Sequence, residues 1–308
     1  MAGSKLLITC KQMQVELPAH RDRLEDLGYT LVVPELRGQQ FSASELSSYA
    51  DDVVGLIAGD DELSRKFFES AKDLQVLIRW GIGMDSVDHQ AAEDHGVTVR
   101  NTPGVFGDEV ADLAICYALM LARSPQLIHD SVVGGDWPKV EGISLANQQI
   151  GIVGLGHIGD AVARRAQAFG MEVKGYDPYS TSSYAENIGL EELLSTSRFV
   201  VLTCPATPDT IGLINDRTVR LLAPDSYLIN VGRGPVVDLV AFEQAMSEGA
   251  IAGAALDVYE IEPLPEQSVL RSLPNVILGA HNGSNTRQGV ERASARAVEI
   301  LLEELAKK

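Results

Sequence analysis

The sequence is poor in cysteine: Cys10, Cys116 and Cys204 are its three, far apart and odd in number. No CxxC, HExxH or paired Cys/His spacing accompanies them, so a disulfide framework or structural zinc is not expected, nor any other metal site. Long hydrophobic runs are also missing. Nothing approaches the roughly 18 apolar residues of a membrane span, and the apolar run within Met1–Cys10 is too short for a signal-peptide core. The expectation is a cytoplasmic protein without a membrane partner. Basic charge is scarce, with 25 Lys and Arg against 43 Asp and Glu and a formal net charge of −18. So acidic a surface repels nucleic acid and anionic lipid. What remains is ordinary for a globular chain: 308 residues, 45% hydrophobic and 22% charged. At roughly 150 residues per domain, that length suggests two domains.

Short apolar runs alternate with helix-like stretches. Leu6-Leu7-Ile8, Thr30 to Val33, Val53 to Ile57 and Leu74 to Ile78 read as buried strands, with helical segments at His20 to Leu27 and Ser64 to Ala71. A longer helical pattern runs from about Phe106 to Arg123. The alternation restarts at Gln149, with strands at Ile150 to Val153, Glu172 to Tyr176, Phe199 to Thr203, Tyr227 to Val231, Ala252 to Asp257 and Asn275 to Leu278. Strands separated by helical crossovers imply parallel, doubly wound sheets. An amphipathic stretch from about Asn285 to Lys308 reads as one closing helix, with no separate regulatory domain expected after it.

The strand Ile150 to Val153 leads into Gly154-Leu155-Gly156-His157-Ile158-Gly159, and a helical run follows. In that context the first glycine permits a tight turn, the second lets backbone approach a pyrophosphate, and the third lets helix pack on strand. The next strand ends at Asp177. A carboxylate there accepts hydrogen bonds from adenosine ribose hydroxyls and repels a 2′-phosphate, and no arginine follows in Pro178-Tyr179-Ser180. NAD is therefore expected over NADP. The plainer alternative for Asp177 is a strand-end turn residue, and His157 reads as a helix-entry residue.

Three further strands each end in a reactive side chain. Arg233 lies in Asn230-Val231-Gly232-Arg233-Gly234, where flanking glycines let the backbone present a guanidinium fork to a carboxylate or keto oxygen. Glu262 follows the next strand in Asp257-Val258-Tyr259-Glu260-Ile261-Glu262-Pro263-Leu264, and His281 follows the one after in Gly279-Ala280-His281-Asn282-Gly283. A histidine beside a carboxylate stays protonated closer to neutral pH, ready to donate to a forming alkoxide. Each residue alone has a bland alternative: a salt-bridged arginine, a loop Glu-Pro pair, a structural histidine. Three of them after successive strands, behind a dinucleotide loop, point to hydride transfer to a keto acid.

These residues resemble the D-isomer-specific 2-hydroxyacid dehydrogenases. The resemblance extends over most of the chain, through Arg79-Trp80-Gly81-Ile82-Gly83-Met84-Asp85, Asn101-Thr102-Pro103-Gly104, Gly154 to Gly159, Asn230 to Gly234, Asp257 to Leu264 and Pro274 to Asn282. It implies Arg233 as substrate anchor, His281 as acid/base and Glu262 as its partner. It implies that Gly81, Ile82 and Gly83, with Arg79 and Trp80 beside them, meet the substrate, backbone N–H groups taking its carboxylate. Asp257 would hold the nicotinamide carboxamide with Val110 near the ring, and Cys204 and Val231 would add cofactor contacts to those of Gly154, Gly156, His157, Ile158, Gly159 and Asp177. The implied fold is a Rossmann NAD-binding domain (101–281) inserted in a flavodoxin-like substrate domain (1–100 and 282–308), and a homodimer through the NAD-binding domain. Two departures stand out. Thr203 replaces a histidine common in relatives, and Asn282-Gly283-Ser284 replaces the commoner His-x-Ala pattern, so an atypical substrate is among the expectations. Arg79 is open between two roles, clamping a second anionic group of the substrate or forming a structural ion pair. The leading function is an NAD-dependent D-2-hydroxyacid dehydrogenase; the alternative is an NAD(H)-sensing binding protein or corepressor on the same scaffold.

Overall fold

The computed structural model describes residues 4–308 except 37, 39 and 274, so Pro274, the first residue of one motif above, lies outside the described residues. The chain divides into two compact units, Met1–Phe106 with Asn285–Lys308, and Gly107–Ser284. The first unit carries five parallel strands: β1 (Lys5–Ile8), β2 (Thr30–Val32), β3 (Val53–Ala58), β4 (Val76–Arg79) and β5 (Thr98–Asn101). Their spatial order, β2-β1-β3-β4-β5, is that of flavodoxin-like sheets. Leu6, Leu7, Ile8, Leu56, Ile57, Val76, Leu77 and Ile78 of the inner strands are fully buried. Strands covered on both faces read as continuous apolar runs, which is why the sequence pattern shows them. The edge strand β5 exposes Arg100 and has no such run, so the pattern passes over it.

The strand expected over Leu74 to Ile78 is shifted. Leu74 N donates to Ala71 O in a turn, and β4 starts at Val76 and continues through Arg79, which pairs in register with Asn101. The helix Arg287–Leu305 covers β3 and β4 with buried Ala293, Ser294, Ala297 and Leu301. Thr286 starts it, its Oγ1 accepting from Gly289 N at 3.0 Å, a cap of the type worth about 1 kcal/mol.

The second unit has seven parallel strands: β6 (Gln149–Val153), β7 (Glu172–Tyr176), β8 (Glu186–Asn187), β9 (Phe199–Leu202), β10 (Tyr227–Asn230), β11 (Gly253–Leu256) and β12 (Val276–Leu278). Their order is β12-β11-β10-β9-β6-β7-β8, the Rossmann arrangement with one strand added at the far edge. Six of the seven match apolar runs; β8 is two exposed residues and carries no pattern. Strand order reverses between β6 and β9. The loops leaving those two strands therefore frame a crevice at the carboxyl end of the sheet, where open α/β folds take their ligands.

Candidate functional site

The loop after β6 is shaped by what its glycines leave out. Gly154 has φ +97° and a Cβ there would stand 2.7 Å from Cys204 N, so the loops after β6 and β9 can close on each other only without a side chain. At Gly159 a Cβ would overlap the Gly154 carbonyl oxygen. At Gly156, by contrast, a Cβ would meet nothing within 4 Å. Gly156 also caps the helix His157–Ala168 without any side-chain acceptor, leaving first-turn amides for a phosphate. A cradle with that open space and those amides fits a dinucleotide pyrophosphate.

Asp177, half-buried after β7, is more engaged than its spacing implies. One carboxylate oxygen accepts from Leu155 N in the glycine loop at 2.7 Å; the other accepts from Tyr179 N at 2.8 Å and Ser180 N at 3.0 Å. It braces the glycine loop and the turn that follows β7. Thr203 does related work, its Oγ1 donating to the Gly154 carbonyl at 2.7 Å, which gives the departure from histidine a structural role. Cys204 is buried and its thiol is pushed up to about 11 by that burial, so it offers packing rather than a thiolate. Val231 is buried behind the same crevice, while His157 is exposed at the helix entry.

The three candidate catalytic side chains follow β10, β11 and β12. The Arg233 loop is set by buried Asn230, which accepts from Gly232 N at 3.1 Å and donates to the Arg233 carbonyl at 3.0 Å. Arg233 Nη1 also donates to Gly232 O at 2.8 Å, turning the side chain back over its own loop. His281 Nδ1 lies 2.8 Å from Glu262 Oε2. A carboxylate only accepts, so Nδ1 carries the hydrogen and the tautomer is set. The other Glu262 oxygen accepts from Tyr259 N at 2.9 Å, which fixes the carboxylate from behind. The pair is neither sealed nor free in water, with side-chain exposures of 30% for His281 and 25% for Glu262.

Asp257 anchors the His281 loop. Its carbonyl accepts from His281 N at 2.6 Å and its Oδ2 from Gly283 N at 2.8 Å. Its Oδ1 accepts from the Tyr117 hydroxyl at 3.1 Å, and the whole residue is 2% exposed. Burial first, then the Asp257 charge, push the Tyr117 hydroxyl upward, so it stays a donor. Tyr259, pushed up to about 12 chiefly by burial, donates to Leu256 O and Gly279 O, closing the base of the loop. Val110 touches the same loop, its Cγ2 3.3 Å from where a Gly283 Cβ would be. Tyr117 and Asn230 escape a reading of the sequence for different reasons. Asn230 lies inside a motif but reads as a strand end, and Tyr117 sits in a helix where nothing marks it from core.

The first unit places its expected residues less uniformly. Trp80 turns its indole to packing, with Nε1 donating to Ser294 Oγ at 3.0 Å and its ring 5.1 Å from Phe106. The side chain thus serves the core of this unit. Gly81 N donates to Thr102 Oγ1 at 2.9 Å and so is not open to a substrate carboxylate. Asn101 holds the loop by donating to Ile82 O at 2.7 Å. Among the described residues, no hydrogen bond engages the amides of Ile82 and Gly83. Arg79 is buried and ion-paired with Asp60. An open concavity of about 660 Å³ in this unit, lined by Asp52, Lys72, Gln75 and Lys308 among others, lies at the amino ends of the strands. That is the wrong end of such a sheet for its ligand.

Known proteins resemble the chain over nearly its whole length. Residues 115–283 match the sequence profile of the D-isomer specific 2-hydroxyacid dehydrogenase NAD binding domain. A D-3-phosphoglycerate dehydrogenase of Methanocaldococcus jannaschii is 34% identical over 301 residues, 94% of this chain; the chain spans 56% of that protein's length. A glyoxylate reductase of Thermococcus litoralis is 37% identical over 255 residues, 78% of this chain and 76% of the reductase. Among solved structures, the TT0316 protein of Thermus thermophilus superposes with a TM-score of 0.90 at 34% identity, covering 99% of this chain and 97% of that one.

Proposed function

The chain belongs to the D-isomer-specific 2-hydroxyacid dehydrogenase family, whose members are NAD-dependent oxidoreductases, and from that premise we propose that it reduces a small 2-keto acid to the D-2-hydroxy acid with Arg233, Glu262 and His281 as the reacting set. The observation that carries this assignment is the 2.8 Å contact between His281 Nδ1 and Glu262. It holds the imidazole at the carboxyl end of the seven-stranded sheet, where the proposed reaction needs a proton donor.

NADH, when bound, supplies the hydride to the carbonyl carbon. His281 gives the proton from Nε2 to the carbonyl oxygen, while Glu262 keeps Nδ1–H in place and favours the imidazolium. The Arg233 guanidinium holds the carboxylate and polarises the keto oxygen. The amides of Ile82 and Gly83 take the substrate carboxylate. Gly154–Gly159 would hold the cofactor's pyrophosphate, Asp177 its ribose and Asp257 its carboxamide, with Val110 near the nicotinamide. NADH consumption with glyoxylate, hydroxypyruvate, pyruvate and 3-phosphohydroxypyruvate tests the reading. Tight NADH binding with no turnover of any of them would replace it with the sensor alternative.

Cofactor choice follows from Asp177. NAD(H) should exceed NADP(H) by at least tenfold in kcat/KM, about 1.4 kcal/mol. Because Asp177 also braces Leu155, Tyr179 and Ser180, Asp177→Ser should narrow the ratio partly by weakening NADH itself. Paired titrations with the two reduced cofactors separate these effects, and equal use of both by the unmodified protein contradicts the assignment.

A homodimer is part of the same proposal. The helix Pro125–Val133 buries none of its residues, and Leu127, Val132, Val133 and the nearby Trp137 are exposed, Trp137 to 76%. An apolar face of this kind on the NAD-binding unit suits a second copy. Light scattering should return twice the 33.1 kDa chain mass, and Trp137→Glu should shift it toward the monomer; a monomeric unmodified protein rejects the dimer. Three free cysteines fit a reducing, cytoplasmic setting.

A further inference from the structure

Two adjacent carboxylates follow β3, and they behave differently. Asp61 is buried and structural: it accepts from Thr9 Oγ1 at 2.5 Å, Phe41 N at 2.9 Å and Gly59 N at 3.1 Å. Burial raises its carboxyl above the ordinary carboxylate range. Asp60 keeps its side chain 52% exposed and gives one oxygen to Arg79 Nη2, whose own side chain is only 8% exposed. Arg79 Nη1 donates to the Trp80 carbonyl, and the guanidinium lies under the substrate loop, 2.9 Å from where a Gly81 Cβ would stand. Its Nε is buried and has no hydrogen-bond partner among the described residues. A buried cation next to the loop assigned to the substrate carboxylate is thus matched by one exposed carboxylate.

We propose that Asp60 is a specificity-determining residue: it occupies the Arg79 guanidinium, denies it to a second anionic group, and restricts the substrate to small keto acids bearing one carboxylate. This rests on the reading given above that the amides of Ile82 and Gly83 take the substrate carboxylate. The argument is one of competition. A distal phosphate or carboxylate reaching Arg79 has to displace a charge-assisted hydrogen bond, the stronger class of such bonds, and approaches against the charge of Asp60. A monoanion such as glyoxylate has no distal group and is spared both. Arg79 therefore takes the structural role of the two open to it, and becomes an anion site only when its partner is removed.

The unmodified enzyme should prefer glyoxylate to oxaloacetate or 3-phosphohydroxypyruvate by at least tenfold in kcat/KM; the reverse preference overturns the proposal without any variant. Asp60→Asn keeps an oxygen for Arg79 and removes the charge. It should raise the ratio of dianion to monoanion kcat/KM by at least tenfold, and the added change Arg79→Met should cancel that gain. An unchanged ratio in a folded Asp60→Asn protein, judged by its melting curve and NADH affinity, overturns it as well. Calorimetric titration of malonate against acetate reads the same selectivity without turnover. Failure of the keto-acid reaction and failure of the Asp60 assignment are therefore separate results.

Discussion

Replacing His281 by alanine should lower keto-acid reduction by about 10²–10⁴-fold, the usual worth of a positioned general acid, while NADH binding changes little. The imidazole reaches its place through backbone and side chain together: its N–H is tied to the Asp257 carbonyl and its Nδ1 to Glu262. Removing the ring leaves the loop's own hydrogen bonds and the glycine cradle intact, so the loss should fall on kcat. Glu262→Gln gives the matching pH test. On the proposed mechanism reduction needs protonated His281, and a carboxylate hydrogen-bonded to Nδ1 favours the charged ring. Without the charge, activity should fail at lower pH on the alkaline side. The measurement is kcat/KM against pH for both proteins; coincident alkaline limbs remove Glu262 from the role given to it.

Arg233→Ala should be comparably damaging. Two charge-assisted hydrogen bonds from one guanidinium, at about 1.5–3 kcal/mol each, correspond to a fall of about 10²–10⁴-fold in kcat/KM. The loss should appear in KM as well as kcat, since on the proposed mechanism the same fork both binds the carboxylate and polarises the carbonyl. Arg233→Lys should recover little, because an ammonium cannot reproduce a planar fork. The loop itself should survive, because Asn230 rather than the arginine side chain holds Gly232 N and the Arg233 carbonyl. An Arg233→Ala enzyme with unaltered KM and kcat for glyoxylate would show that the fork never meets substrate.

Much of this architecture is legible in the sequence because parallel strands buried on both faces are written as apolar runs. β1, β3, β6, β9 and β10 all read that way, and Gly154–Gly159 sits where one such run meets a helix. The candidate site after β10, β11 and β12 stands out for a related reason: arginine, glutamate and histidine beyond successive strand ends have no packing explanation. The rest depends on partners far away in sequence. Nothing near Tyr117 announces that Asp257, 140 residues on, will accept its hydroxyl. Arg79 suits substrate and structure equally as a sequence position, and only the carboxylate of Asp60 beside it separates the two. Edge strands β5 and β8 fall outside the pattern because a strand with exposed polar residues has no reason to be apolar.

His281 also carries a conformational cost that none of its contacts reveals. Its backbone lies at φ +51°, in the left-handed region that disfavours a side-chained residue by roughly 1–2 kcal/mol. Glycine and asparagine enter that region most readily, so a chain selected only for folding would carry one of them there. Local strain of this kind persists where surrounding structure enforces it, and here the Asp257 carbonyl and the Gly283 tether do so. Stability and turnover consequently pull this position in opposite directions, and changes that make the fold more heat-resistant here should do so at the expense of the enzyme.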